Sequence, residues 1–553
     1  MLAKSGLRCL QADTNVDVVA TLRAIGAGGE EDCPMKGEQL RPAVFILLIV
    51  AAGLSIGLAA CTDEEVVFRE RPLFEDPPAG AAGFLGYTDQ EAKLTVCGNC
   101  HIGMQSGWET TGHADAWAGL QESGHAQEFC EGCHTVNELG NATEEAGGWP
   151  ATGNPRYQDV QCESCHGPGS THIENPDGEK PLASIAAGVD LDNGCGECHS
   201  GTHHPFVDQW AQSAHGNVTA FAAGRDGCNA CHDGERAMSA KFGESSDFIE
   251  KNDGEFEQIV CATCHDPHGS GNTANLRAPL EASAGLSNLC VTCHARQGTP
   301  PSSRGPHAAQ GFLVLGENAG WIPPSFEYDT ARIVSTHGTA ANDRLCATCH
   351  VDSFEVTDAE TGEFQFQAVG HTFDAIPCLD SEGLPVAGGE CAVSERKFSA
   401  CTGSGCHGTA EAARSAFVTT RGRINSLLDE LWVDSDEDNV IDASDQGLLP
   451  QVVAQGDPSE LDVSDNTTTV AEGALWNAQL AHTRQRTRFG DGEAFGVSFS
   501  AHKSSGEGVH NPFLLEALLT ASIRAMEEEY GLSASIDDPS VQAELPPTVS
   551  GSR

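Results

Sequence analysis

The chain has 553 residues, with 80 acidic against 30 basic side chains and a formal net charge of −50. Such a surface repels nucleic acid and anionic lipid and excludes both as partners; it leaves a solvated soluble surface, or docking to a basic partner or metal ions. Hydrophobic residues make up only 39% and aromatic residues 6%, too lean for a conventional apolar core, so something besides side chains is expected to occupy the interior.

Residues 1–34 are polar, end in acidic residues and are expected to be a misassigned leader, with Met35 the true start. From Met35 the sequence reads MKGEQLR and then PAVFILLIVAAGLSIGLAA, an apolar run from Pro42 to Ala60 that ends at Cys61. A basic start, an apolar stretch and small residues before a cut make a signal peptide. Leu58-Ala59-Ala60-Cys61 resembles the bacterial lipobox, which implies removal of 35–60 and lipidation of Cys61; an uncleaved anchor is the alternative, since 19 residues nearly span a bilayer. Residues 61–90 then form a linker.

Eight Cys-x-x-Cys-His motifs follow. Numbered in chain order they are Cys97-Cys100-His101, Cys130-Cys133-His134, Cys162-Cys165-His166, Cys195-Cys198-His199, Cys228-Cys231-His232, Cys261-Cys264-His265, Cys290-Cys293-His294 and Cys346-Cys349-His350. A ninth, CTGSGCH, spaces its cysteines wider, as Cys401, Cys406 and His407. Two thiols at this spacing reach the two vinyl groups of one porphyrin, and the adjacent histidine offers its imidazole to the iron, so each motif reads as covalent haem c attachment. Zinc also uses cysteine pairs but does not require histidine after every second cysteine. The first six motifs start at 97, 130, 162, 195, 228 and 261, and a near-constant period of this size marks a repeated structural unit. Each unit is too small for a core of its own, so the haem is expected to be that core, with neighbouring porphyrins stacked within hopping distance.

There are 22 histidines. With nine of them proximal, thirteen remain for the far side of each iron, where a second imidazole closes the coordination sphere for electron transfer. Only five methionines exist, so methionine ligation is not general. His113 and His215 each lie five residues after a tryptophan, in WETTGH and WAQSAH, and His337 in IVSTH follows the pattern without it. His268 sits three residues after a proximal ligand, in CHDPHG. His371 and His510 come next, then His125, His172 and His307, and His204 in preference to its neighbour His203. His482 and His502 lie in the charged C-terminal part and are expected at the surface. Eighteen cysteines serve the motifs, Cys9 and Cys33 belong to the leader and Cys61 to the lipid; a disulfide is expected between the remaining two, Cys378 and Cys391.

The last 146 residues carry no motif. DSDEDNVIDASD, Asp434 to Asp445, places oxygen ligands at Asp434, Asp436, Asp438, the Val440 carbonyl and Asp445, the pattern of an EF-hand or dockerin-like calcium loop. It departs by Asn439 in place of glycine and by an aspartate in place of the final glutamate; an acidic surface loop is the alternative. The amphipathic stretch Ile424 to Trp432 would be its entering helix. In HNPFLLEALLTASIRAMEEEYG, Asn511 is a good N-cap and Pro512 suits the first helical position. An apolar stripe of Phe513, Leu514, Ala517, Leu518, Ala521 and Met526 is predicted to pack on the protein body before Gly531.

From about 90 to 531 these phrases, CESCHGPGSTH and the His-Asn-Pro before a long helix among them, resemble the broad multihaem cytochrome superfamily that includes nitrite reductases and hydroxylamine oxidoreductases. The resemblance implies a fold that is mainly α with much irregular loop and few or no strands, organised around stacked haems. It also implies a distal ligand role for His510. A nonahaem domain is expected over 91–410, a helical segment with the calcium-type loop packed on it over 411–531, and a disordered tail over 532–553. The marks of the catalytic branches do not match: no CxxCK occurs, and Tyr87, Tyr157, Tyr328 and Tyr530 are in no recognisable cross-linking context. The expectation is an exported bacterial electron carrier, held by a lipid at the outer membrane. Its partners would be other cytochromes, quinol-linked donors or extracellular acceptors, with an oligomer possible in principle. The alternatives are a reductase of nitrogen or sulfur compounds with one open haem, and a structural subunit of a cytochrome filament.

Overall fold

The computed structural model describes residues 74–534 apart from 186, 188–193, 246–255, 303, 325, 327–335, 340, 359, 387, 389, 404–406 and 503–505. Met35, Cys61 and the apolar run before it, with Tyr328, Cys406 and the tail from 535, lie outside the described residues. Among the described residues no helix is long and apolar enough to cross a membrane.

Up to Gly408 the helices are short, as frequent glycine and proline require. Representative ones are α1 (Ile102–Trp108), α2 (Phe206–Gln212) and α3 (Gly234–Phe242). Helix α3 shows how such pieces are held: the Asp233 carboxylate accepts the amides of Glu235 and Arg236, and Gly243 ends the helix at φ +76°. Strands are small. Antiparallel pairs join β1 (Tyr87–Asp89) to β2 (Leu94–Thr95), β3 (Phe354–Thr357) to β4 (Phe364–Ala368), and β5 (Cys378–Leu379) to β6 (Pro385–Val386). Cys378 of β5 is bonded to Cys391, with Cα atoms 6.0 Å apart.

The C-terminal part folds differently. Helices α4 (Ala410–Leu431), α5 (Leu448–Gln455), α6 (Val470–Ala481) and α7 (Pro512–Tyr530) surround a small sheet in which β7 (Val440–Ile441) runs parallel to β8 (Asp491–Ala494) and β8 antiparallel to β9 (Val497–Ser500). Here lies the large apolar core, built around Ile424, Leu428, Trp432, Leu448, Leu475 and Leu518 and reaching back to Leu313. Elsewhere the buried apolar clusters hold three to five residues each. The lean composition therefore has a location, since the apolar side chains are concentrated where the motifs are not. Helix α6 is buried on every side; Asn477 donates to the Trp321 carbonyl at 2.8 Å and to Ser522 Oγ at 2.9 Å, and Trp476 Nε1 to the Gly298 carbonyl at 3.2 Å.

Helix α7 starts as its sequence dictates. Asn511 Oδ1 accepts the Leu514 amide at 3.1 Å while its Nδ2 donates to the Leu313 carbonyl at 2.9 Å, and Gly531 closes the helix at φ +65°. The buried face differs from the expected stripe. It runs through Leu514, Leu515, Leu518, Leu519, Ser522, Ile523 and Met526, with Ala517 and Ala521 half-buried and Phe513 52% exposed. Phe513 instead borders the interior cavity beside His510, so this helix presents one face to the core and its first turn to the cavity.

One buried carboxylate ties the N-terminal loops together. Glu163, inside motif 3, accepts the amides of Leu85 at 2.8 Å, Gly86 at 2.7 Å and Gly169 at 2.8 Å. Burial pushes it up to about 7, against the pull of those donors. Glu163→Gln turns an amide donor toward backbone donors, and the change should lower the unfolding free energy by about 1–3 kcal/mol, read by chemical denaturation. Leu518→Ala, at a fully buried position of the C-terminal core, should cost about 2–5 kcal/mol in the same measurement.

Candidate functional site

One continuous cavity of about 2820 Å³ runs through the structure. Twenty of the 22 histidines line it, including the histidine of every motif, together with motif cysteines and apolar side chains such as Leu120, Met238, Val314 and Phe417. His125 and His203 are the two outside it.

The imidazoles stand in opposed pairs. Ring centroids lie 6.2 Å apart for His101 with His172, 6.3 Å for His166 with His268, and 6.1 Å for His199 with His113. The same spacing holds for His232 with His307 (6.2 Å), His265 with His371 (6.4 Å) and His294 with His215 (6.1 Å). His350 with His510 (6.2 Å) and His407 with His337 (6.3 Å) complete the set. Each pair joins one motif histidine to one distant in sequence. Two imidazoles bonded to opposite sides of one metal ion, each with its nitrogen about 2 Å from the ion and about 1 Å from its own ring centre, place the centroids about 6 Å apart. For motif 2 no such pair is formed among the described rings; His204, whose ring lies 6.3 Å from that of His199 at 79°, is the remaining cavity histidine near it.

The other ring nitrogen is often already taken. Nδ1 faces a backbone carbonyl in His134 (Ala116, 2.8 Å), His166 (Pro181, 2.7 Å), His172 (Glu179, 2.5 Å) and His265 (Ala274, 2.8 Å). The same holds for His337 (Val509, 2.7 Å), His350 (Phe373, 2.7 Å) and His371 (Val369, 3.1 Å). A carbonyl only accepts, so Nδ1 carries the proton and Nε2 keeps its lone pair for the cavity. Burial pushes His199 and His307 down to about 4 and His215 to about 3, which keeps those three rings neutral. Neutral, oriented, paired imidazoles beside cysteine pairs fit haem c as a resident group.

Four histidines need separate mention. His125 is exposed in the turn after the helix Ala116–Glu122, where Ser123 Oγ accepts its amide at 3.3 Å and the ring lies outside the cavity. His203 stacks on Phe364 at 6.1 Å, also outside. His482 is no surface residue. It is 5% exposed, held by its Nδ1 to the Gln479 carbonyl at 2.6 Å, because the charged sequence after it folds back through Arg486 and Arg488 onto Asp429. His502 is exposed as expected, yet its ring stands 4.2 Å from that of His307.

The thiols show how the motifs neighbour one another. Cysteines of different motifs lie side by side, Cys97 by Cys162, Cys133 by Cys198, Cys195 by Cys261, Cys231 by Cys293 and Cys290 by Cys346. In the second pair the neighbouring thiol holds Cys133 down to about 7 and pushes Cys198 up. Cys165 also feels Cys195, and Cys264 feels Cys290. The order in space is therefore 1–3–4–6–7–8, with motif 2 branching at 4 and motif 5 at 7. Motif 9 joins beside motif 8, since His337 binds the carbonyl of Val509, next to His510, and Cys401 feels Asp352.

A structural repeat underlies part of this order. Trp108 Nε1 donates to the Val160 carbonyl at 2.9 Å, while the Val160 amide donates to the His113 carbonyl at 3.1 Å. Trp210 and Ile259 repeat both bonds, at 2.7 Å and with His215 at 3.1 Å. The tryptophan five residues before each of these histidines thus fastens it to the strand-like approach of a later motif. At the crossing of motifs 6, 7 and 8 sits Phe373, which the sequence did not single out. Its ring lies 4.5 Å from His215 and 5.5 Å from His371, and its carbonyl accepts from His350. It adopts φ +56°, a strained conformation for an aromatic residue that three simultaneous contacts hold in place.

In the acidic loop, Asp434, Asp436 and Asp445 bring carboxylate oxygens within 4.8 Å of one another. Asp438 instead accepts the Val440 amide at 2.7 Å, and Asn439 takes φ +59° at the position where such loops use glycine. Burial and the neighbouring carboxylates hold Asp436 above its ordinary range. Helix α4 enters this loop and β7 lies within it.

The family model for cytochrome c554 and c-prime matches residues 96–167, and that for a doubled CXXCH motif matches 254–299. The multiheme cytochrome MtrA of Shewanella baltica is 28% identical over 222 residues, covering 37% of this chain and 59% of that protein. The C-type polyheme cytochrome OmcB of Geobacter sulfurreducens is 30% identical over 259 residues, covering 40% of this chain and 31% of that one. The chain thus spans about three fifths of the first relative and about a third of the second. No solved structure gives a significant match. With opposed imidazoles at each of eight motifs, covalent attachment sequences throughout and these relatives, the chain is a multihaem c-type cytochrome.

Proposed function

We propose that the chain carries nine haem c groups and transfers electrons through them, each iron closed by two histidines. The single observation that carries this reading is the recurrence of opposed imidazoles at 6.1–6.4 Å. The assignments are His172, His204, His268, His113, His307, His371, His215, His510 and His337 as distal ligands of motifs 1 to 9 in that order. Haem c supplies a one-electron iron couple when bound. The residues of the chain supply the rest. Nδ1–carbonyl bonds orient seven of the rings, and the attachment cysteines of successive motifs lie side by side, so that no redox group is isolated from its neighbours. The lipobox-like Cys61 supports placement at the outer membrane. There the acidic surface would meet other redox proteins, quinol-linked donors or extracellular acceptors.

Intact-mass measurement of the native protein should give nine haems per chain, and low-temperature EPR should show only low-spin iron, unchanged by nitrite, hydroxylamine or sulfite. A high-spin signal that shifts with one of them would instead support a reductase with an open haem. His268→Ala should leave the haem count at nine and open one iron, at motif 3.

We also propose that the loop from Asp434 to Asp445 binds calcium. Its three converging carboxylates repel one another without a cation. Calorimetry should show calcium binding by the native protein and its loss in the Asp434→Ala, Asp436→Ala double variant; equal binding by both would refute it.

A further inference from the structure

Three imidazoles converge on motif 5, where an iron has room for two. His307 stands 6.2 Å from His232, in the spacing of every other pair. His502 stands 4.2 Å from His307 with the two ring planes at 78°, and both line the same cavity. The proximity is built in by the backbone. The His502 amide donates to the Pro306 carbonyl at 3.2 Å, and His307 is itself pinned by reciprocal bonds with Gln297 at 2.9 and 3.0 Å. The edge-to-face arrangement lets only one of the two rings face His232 at a time.

We propose that His502 is a second sixth ligand for the iron of motif 5, exchangeable with His307. The proposal rests on the bis-histidine reading above. Exchange breaks one iron–imidazole bond and makes another, one imidazole replacing the other, so the oxidation state of the iron is unchanged. His307 is held at both backbone atoms and is the resident ligand. His502 lies on an exposed loop after β9, with its amide on the Pro306 carbonyl, and is the alternative ligand. The position is also a tip of the branched order, next to motif 7 alone, so a change of ligand there alters one terminus without interrupting the row 1–3–4–6–7–8. The shared chemistry is that of any distal imidazole, but motif 5 holds it in duplicate.

The test uses full-length, haem-loaded protein with His307→Gln, His307→Ala, His502→Ala and the double variant His307→Gln, His502→Ala. Each is checked for haem count and then examined by low-temperature EPR and resonance Raman. Both single changes should leave every haem six-coordinate and low-spin, His307→Gln with a shifted low-spin signal. The double variant should convert one haem in nine to a high-spin form that added imidazole returns to low-spin. If His307→Gln and His307→Ala alone open that haem to the same extent as the double variant, His502 does not reach the iron and the proposal falls. A high-spin signal in the native protein would overturn the bis-histidine reading first, and this inference with it.

Discussion

A neutral imidazole has one donor and one acceptor nitrogen, and which of the two faces the cavity is decided by whatever captures the other. In this chain the captors are backbone carbonyls, at Ala116, Pro181, Glu179, Ala274, Val509, Phe373 and Val369. Apart from Ala116, the first residue of a helix, and Ala274 in a single 3-10 turn, those carbonyls sit in turns and short loops, where the main chain has unspent acceptors. The scarcity of long helices in the motif region is thereby useful: a helical carbonyl is already committed four residues on, whereas a loop carbonyl is free to orient a ligand.

The same constraint explains the division of the molecule. A region whose interior is given over to imidazoles, thiols and their cofactors has little place for leucine, and its apolar clusters stay at three to five residues. The C-terminal helices carry the dense core and reach into the motif region at selected points. Asn511 anchors α7 to Leu313, and His510, one residue earlier, is aligned with His350 at 6.2 Å. A buried helix start thus positions a side chain whose partner lies 160 residues away.

Much of this was legible in the sequence. The motifs, the tryptophan-to-histidine spacing, the N-cap at Asn511 and the turn at Asn439 are local patterns, and the local geometry follows them. Pairing was not legible, because it depends on which distant segments the fold brings together; nothing near His172 names His101. His482 was misjudged from the charge around it, and His502, exposed as expected, gave no sign of its neighbour. The charge is internally paired at Asp429 in the first case, and an exposed ring stands beside His307 in the second. Phe373 had no signal at all, since its role lies in a strained backbone at a three-way crossing.

The sulfur contacts between motifs also bear on how such a protein is made. Two free thiols in contact are a disulfide in waiting once an oxidant is present, and the chain holds a disulfide of its own at Cys378 and Cys391. Were the fold to close first, Cys97 would lie beside Cys162 and Cys133 beside Cys198, open to cross-linking at the very sulfurs that must add across a vinyl group. A thioether removes that hazard permanently. Attachment that runs ahead of collapse, motif by motif along the emerging chain, never meets it.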